Sequence, residues 1–124
     1  MQQAVYQQEA QNNIPMETPS PGAVLLSLYD AAIRYVGLAK KQIEAGNNQS
    51  MEISLGKAYA IITEFMNSLD YEQSPELCAN LEQVYDFMLA QLEEANLNMD
   101  PTPLGHVATH LNALRDAWAQ VVTG

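Results

Sequence analysis

The chain has 124 residues, 48% of them hydrophobic, and carries 15 acids against 5 bases for a formal net charge of −10. That length suits one domain around a single core, and the apolar share is that of a globular protein, not of a disordered one. The bases Arg34, Lys40, Lys41, Lys57 and Arg115 are too few and too scattered along the sequence to displace counterions from nucleic acid, and an anionic membrane surface is disfavoured on the same grounds.

Residues 1–19 are rich in Gln, Asn and Pro, with isolated apolar residues at Val5, Tyr6, Ile14 and Met16. Alone they cannot bury enough surface to stay ordered, so a flexible N-terminal segment is expected ahead of a domain over 20–124. MQQAVYQQEAQNN has neither the basic start nor the apolar core of a signal peptide. No uninterrupted apolar run reaches about 18 residues, so no spanning helix is expected, and a cytoplasmic protein is.

Ser20-Pro21 reads as an N-cap followed by proline at the first helical position, opening a helix that runs to about Ala45 and stops at Gly46-Asn47-Asn48. From Ala23 to Val36 its only polar residues are Ser27, Asp30 and Arg34. At about 100° per residue these fall within one narrow strip, so most of the helix circumference is apolar. Asp30 and Arg34 are spaced for an i,i+4 pair. Ser50 is the predicted cap of a second helix, with Met51, Leu55, Ala58, Ile62, Phe65 and Leu69 on one face. Ser74-Pro75-Glu76 opens a third, whose face is Leu77, Leu81, Val84, Tyr85, Met88 and Leu92. Asp100-Pro101 opens a fourth, with Leu104, Val107, Leu111, Leu114, Trp118 and Val121.

No useful period-2 run appears, so no strands are expected. Loops of about four residues make consecutive helices antiparallel neighbours. The predicted fold is therefore all-α, an antiparallel up-down-up-down four-helix bundle with a flexible N-terminal segment.

Chemistry is sparse. A di-iron bundle needs Glu-x-x-His, but Pro103 and Val107 stand three residues before His106 and His110. No acid joins that histidine pair at helical spacing, so both read as exposed polar residues and no metal or other cofactor is expected. Histidine phosphotransfer would want a lysine near the imidazole, and HVATHLN has none. Cys78 is single, which excludes an internal disulfide and a cysteine zinc site, and it reads as a small buried or half-buried thiol. No phosphate loop or Ser-His-Asp set is present, and an enzyme is not expected.

The informative feature is surplus apolar surface. On the first helix Leu25, Leu28, Ala32, Val36, Ala39 and Ile43 already make a sufficient core stripe, while Leu26, Tyr29 and Ile33 lie roughly 40–100° to one side. Ile61 flanks the core face of the second helix, Ile53 lies nearly opposite it, and Phe87 projects from the polar side of the third. Single exposed apolar residues are normal, but several beside an apolar-studded tail suggest a surface that binds a helix.

Several stretches carry a resemblance together. They are Tyr6, SPGAVLLSLYDAAIRYVGLAKKQIEAGN at 20–47, KAYAIITEFMNSLD at 57–70, NLEQVYDFMLAQLEEANLNMD at 80–100 and LRDAWAQV at 114–121. Leu28-Tyr29-Asp30, Tyr85-Asp86-Phe87-Met88, Ala95-Asn96 and Arg115-Asp116-Ala117-Trp118 follow in order and spacing. In these the chain resembles the flagellin export chaperone family FliS over nearly its whole length. The resemblance implies a non-enzymatic bundle that binds the disordered C-terminal segment of flagellin in hydrophobic grooves, prevents premature polymerisation and assists flagellar type III secretion. It also implies that a tail tyrosine, here Tyr6, covers part of the groove. The expected partner contacts are Tyr6, Leu26, Tyr29, Ile33, Ile61 and Phe87, with Leu28, Tyr85 and Trp118 in the core. The flagellar export gate is a further expected partner, and the chain is expected to be a monomer or weak dimer. The alternative is a helical signalling module, either a phosphotransfer domain or a general adaptor.

Overall fold

A computed structural model describes residues 20–123, which form α1 (Pro21–Glu44), α2 (Asn48–Asn67), α3 (Pro75–Asn98) and α4 (Thr102–Thr123). No strand occurs among the described residues. Ser20 caps α1, its hydroxyl accepting from the Ala23 amide at 3.1 Å ahead of Pro21. The helix ends where Gly46 turns to φ +75°, a left-handed conformation that suits glycine, and the Asn47 amide bonds back to the Gln42 carbonyl at 2.8 Å.

Ser50 is not the cap of α2. Asn47 takes that place, its side-chain oxygen accepting from the Ser50 amide at 3.4 Å, so Ser50 lies within the first turn. At the start of α3, Ser74 occupies the cap position without a side-chain cap bond. That helix ends at Met99, held left-handed at φ 52°, where the following Asp100 amide reaches the Ala95 carbonyl at 3.2 Å. The Asp100 carboxylate accepts from the Thr102 amide at 2.9 Å and opens α4.

Contacts between distant residues establish the antiparallel order. Gln42 at the end of α1 accepts from Ser54 near the start of α2, while Tyr29 stacks on Phe65 near the end of α2. Gln91 late in α3 bonds His106 early in α4, and Asp30 early in α1 pairs with Arg115 late in α4. Each helix packs on its chain neighbours, and α4 closes the ring against α1. The backbones of the diagonal pairs stay apart, and Tyr29 and Tyr85 bridge one diagonal through their hydroxyls at 2.7 Å.

Asp30 does not pair with Arg34. It takes a forked bond from Arg115, Nε at 2.8 Å and a terminal nitrogen at 3.3 Å, while Arg34 lies over the Tyr35 ring. The planar fork matches a carboxylate across the helix seam better than an i,i+4 reach does. At one end of that seam Gly22 lets the last turn of α4 come close. A Cβ there would sit 2.6 Å from the Cβ of Val122.

The core is built from Ala32, Val36 and Ala39 of α1, Met51, Leu55, Ala58, Ile62 and Phe65 of α2, Leu81, Met88, Leu92 and Ala95 of α3, and Leu104, Val107 and Leu111 of α4. Tyr29 and Tyr85 are buried among them. Leu77 and Val121, expected on core faces, are instead exposed, because each lies in a terminal turn.

By averaged composition α1 is long and apolar enough to span a bilayer, with a mean hydropathy of 1.3 over its best window, although no single run is unbroken. Tyr29, Ala32, Val36 and Ala39 are the residues of this helix that the bundle buries. The helix packs on both α2 and α4 and carries Asp30, tied to Arg115, in its first half and well inside its span. A charge at mid-membrane depth is costly.

Candidate partner-binding cleft

The ends of α1 and α3 that begin each helix meet the ends of α2 and α4 that finish theirs. There the bundle opens into a cleft of about 310 Å³. Leu25 and Leu28 of α1, Leu69 just past the end of α2, Leu77 of α3 and Trp118 of α4 form its apolar walls, with Phe65, Leu81 and Tyr85 deeper. Glu64, Ser68, Asp70, Gln73 and Ser74 line the rest. Ser74 and Leu77 also border a shallower depression over Pro75 and Glu76, so the cleft runs out along the start of α3.

Its floor is an aromatic cluster. The Tyr29 and Phe65 rings stack with centroids 4.2 Å apart, and Phe65 meets Tyr85 at 5.7 Å. The Trp118 indole donates to the Tyr29 hydroxyl at 3.2 Å, and that hydroxyl shares a 2.7 Å bond with Tyr85. Burial without a hydrogen bond would cost each of these groups more than the bonds contribute, so the network fixes the ring positions. Tyr71 of the α2–α3 loop donates to Glu82 and reaches the Cys78 carbonyl, holding the loop on α3. Cys78 is buried beside it, its thiol 3.4 Å from the Asp70 carbonyl.

Burial raises the Tyr29 and Tyr85 hydroxyls above the ordinary tyrosine range. The folded state therefore holds these protons while the unfolded chain releases them near pH 10. The contribution is fully present below about pH 10 and is lost above it, with a slope approaching about 1.4 kcal/mol per pH unit for each tyrosine. Urea midpoints from pH 8 to pH 11.5 should fall only above about pH 10, and the Tyr29→Phe/Tyr85→Phe double variant should fall less steeply. Equal slopes would mean that these hydroxyls titrate freely.

None of the predicted contacts among the described residues lines the cleft wall. Tyr29, expected on the flank of α1, is fully buried. The reason is that α1 packs on two helices, which centres its buried stripe on Tyr29, Ala32, Val36 and Ala39. Leu28, expected in the core, is half-buried at the cleft, as is Trp118. Leu26 and Ile33 are half-buried and share with Asp30 the edge of α1 nearest α4. Ile61 is half-buried against the core, on the α2 edge facing α1. Phe87 is 43% exposed and meets His110 edge-on at 5.4 Å on the α3–α4 seam. Tyr6 lies outside the described residues. The other five are spread over the α1–α4, α1–α2 and α3–α4 seams and the core.

The cleft residues were legible as apolar but read as core. Leu25, Leu28, Leu69, Leu77 and Trp118 all occupy terminal turns or lie within about two turns of them, and antiparallel order brings those turns to one end. Among the described residues no group of three or more His, Cys, Asp or Glu could hold a metal.

The described helices thus form a four-helix bundle that opens at one end into an apolar cleft beside a hydrogen-bonded aromatic cluster. Its family is specific: the chain belongs to FliS, whose model, described as flagellar protein FliS, matches residues 1–124. Similar proteins include the flagellar secretion chaperone FliS of Bacillus subtilis (strain 168), 32% identical over 117 residues covering 94% of this chain and 83% of that one. The flagellar secretion chaperone FliS of Vibrio cholerae serotype O1 is 31% identical over 106 residues, covering 86% of this chain and 78% of its own. That of Campylobacter jejuni is 28% identical over 116 residues, covering 94% and 89%.

Proposed function

We propose that this chain is a cytoplasmic holding chaperone for flagellin, and that the apolar cleft takes part of flagellin's C-terminal segment. The observation that carries this reading is the cleft itself, in a chain of the FliS family. Leu25, Leu28, Leu69, Leu77 and Trp118 offer apolar walls that suit an amphipathic segment folding as it binds. Holding the segment hides its apolar face, which prevents premature polymerisation, and keeps it ready for delivery to the export gate. The chaperone works without catalysis, as a monomer or weak dimer.

Residues 1–19 join the bundle at Ser20, at the end where the cleft opens. A segment of that length reaches up to about 60 Å when extended, enough to cross the cleft. We infer that it shields the cleft between clients, with Tyr6 as its anchor, and so lowers apparent client affinity.

The test is calorimetric titration of the full chain with the C-terminal segment of its genomic flagellin. Binding at tens of micromolar or tighter with a large negative heat-capacity change is expected, since coupled folding buries apolar surface. No binding in that range overturns the client. Deleting residues 1–18 should tighten binding, and weakening would make the segment a direct clamp. For the phosphotransfer alternative, His106 is bonded to Gln91 and His110 packs on Phe87, while every lysine lies on α1 or α2.

A further inference from the structure

Helix α3 carries Glu76, Glu82, Asp86, Glu93 and Glu94 and no base, whereas α1 and α2 carry Arg34, Lys40, Lys41 and Lys57 alongside the acids Asp30, Glu44, Glu52 and Glu64. Among the described residues the ion pair within 4.0 Å is Asp30–Arg115, so those four cations have no carboxylate at that range. Arg34 and Lys57 converge from two helices on one ring, each 5.5 Å from the centroid of Tyr35. Beside them Leu38 is 43% and Ile53 58% exposed, on either side of a shallow groove along the α1–α2 seam. The Gln42–Ser54 hydrogen bond at 2.8 Å joins the two helices there. Lys41, in the last turn of α1, is explained by the helix dipole, but the pairing of Arg34 with Lys57 across the seam is not.

We propose that this strip is a second docking surface, for an acidic amphipathic helix of a protein partner. Leu38 and Ile53 receive its apolar residues, and Arg34 and Lys57 meet carboxylates on its flanks. Charge complementarity selects this occupant. A molecule with net charge −10 repels acidic partners at long range, so a local cationic strip with apolar anchors directs such a helix to one place. Leu38 lies ten to thirteen residues along α1 from Leu28 and Leu25, or about 15–20 Å, so cleft and strip can be occupied together.

The test uses the full chain and a fluorescent helical peptide of about 15 residues, with leucines at i, i+4, i+7 and i+11 and glutamates on both flanks. Anisotropy should show binding that weakens about tenfold in Lys57→Glu or Ile53→Ser and falls as salt rises. Amide shifts should centre on Tyr35, Leu38, Ile53 and Lys57. Both substitutions are on exposed side chains, and unchanged thermal melting checks the fold. Equal binding of a lysine-flanked peptide, or shifts centred on Leu25, Leu69 and Leu77, would overturn the strip as an acidic-helix site. Stronger binding to phosphatidylserine vesicles than to the glutamate peptide, lost in Lys57→Glu, would reassign it to a lipid surface and equally overturn the proposal.

Discussion

Replacing Phe65 with alanine is expected to destabilise the bundle by about 3–5 kcal/mol and to lower its melting temperature by roughly 10–20 °C. Phe65 is buried between Tyr29, stacked at 4.2 Å, and Tyr85 at 5.7 Å, and these rings belong to three different helices. Its loss removes the surface against which the two tyrosines are aligned, so the Tyr29–Tyr85 and Trp118–Tyr29 bonds lose their geometry as well. Thermal unfolding followed by far-ultraviolet circular dichroism reads the effect. Phe65→Leu restores much of the volume and should cost under about 1.5 kcal/mol. A melting temperature of Phe65→Ala within a few degrees of the parent would show that this cluster is not the organising contact.

Leu77→Glu is expected to weaken binding of the flagellin C-terminal segment about 30- to 100-fold, the loss of a buried leucine contact, while leaving stability within about 0.5 kcal/mol. Leu77 is 51% exposed on the cleft wall, so the free protein has little packing there to lose. Phe87→Ser is the paired control. Phe87 lies on the α3–α4 seam against His110, away from the cleft, and its replacement should leave affinity for the segment within about twofold. Titration calorimetry of both variants separates the two surfaces. If Phe87→Ser weakens binding more than Leu77→Glu does, the client lies on the α3–α4 seam and the cleft assignment is wrong.

Much of the bundle was legible because its signals are local. Ser20-Pro21, Gly46 and the stripes at i, i+3, i+4 and i+7 act within a turn or two of chain, and they place four helices and their approximate ends. Where two local candidates competed, the outcome depended on which group reached an orphan amide. Asn47 is three residues before the Ser50 amide, so it capped α2 and drew Ser50 into the first turn. The same limit shows at Asp30, whose sequence neighbour Arg34 is displaced by Arg115, 85 positions away.

The candidate site was less legible. A helical wheel gives the angle of a side chain but not how far along the axis its neighbours extend. Leu77 and Val121 sit on core-facing angles yet in terminal turns, and so remain exposed. Leu25 and Leu28, also near the start of their helix, are covered on one side only and become cleft walls. Tyr29 was displaced in the opposite sense. Its angle looked peripheral against a stripe drawn for one neighbour, but α1 has two, and its hydroxyl finds Tyr85 and Trp118 inside.

The sequence by itself determined an acidic, all-helical bundle, its antiparallel order through short loops, and its likeness to FliS, because capping, periodicity and composition are properties of neighbouring residues. Only the tertiary structure decided which oily residues close the core and which wall the cleft, because that depends on where four helix ends stop relative to one another. It also decided that Arg34 and Lys57, 23 positions apart, share one aromatic ring, since cations scattered along a chain become a patch only when two helices lie side by side.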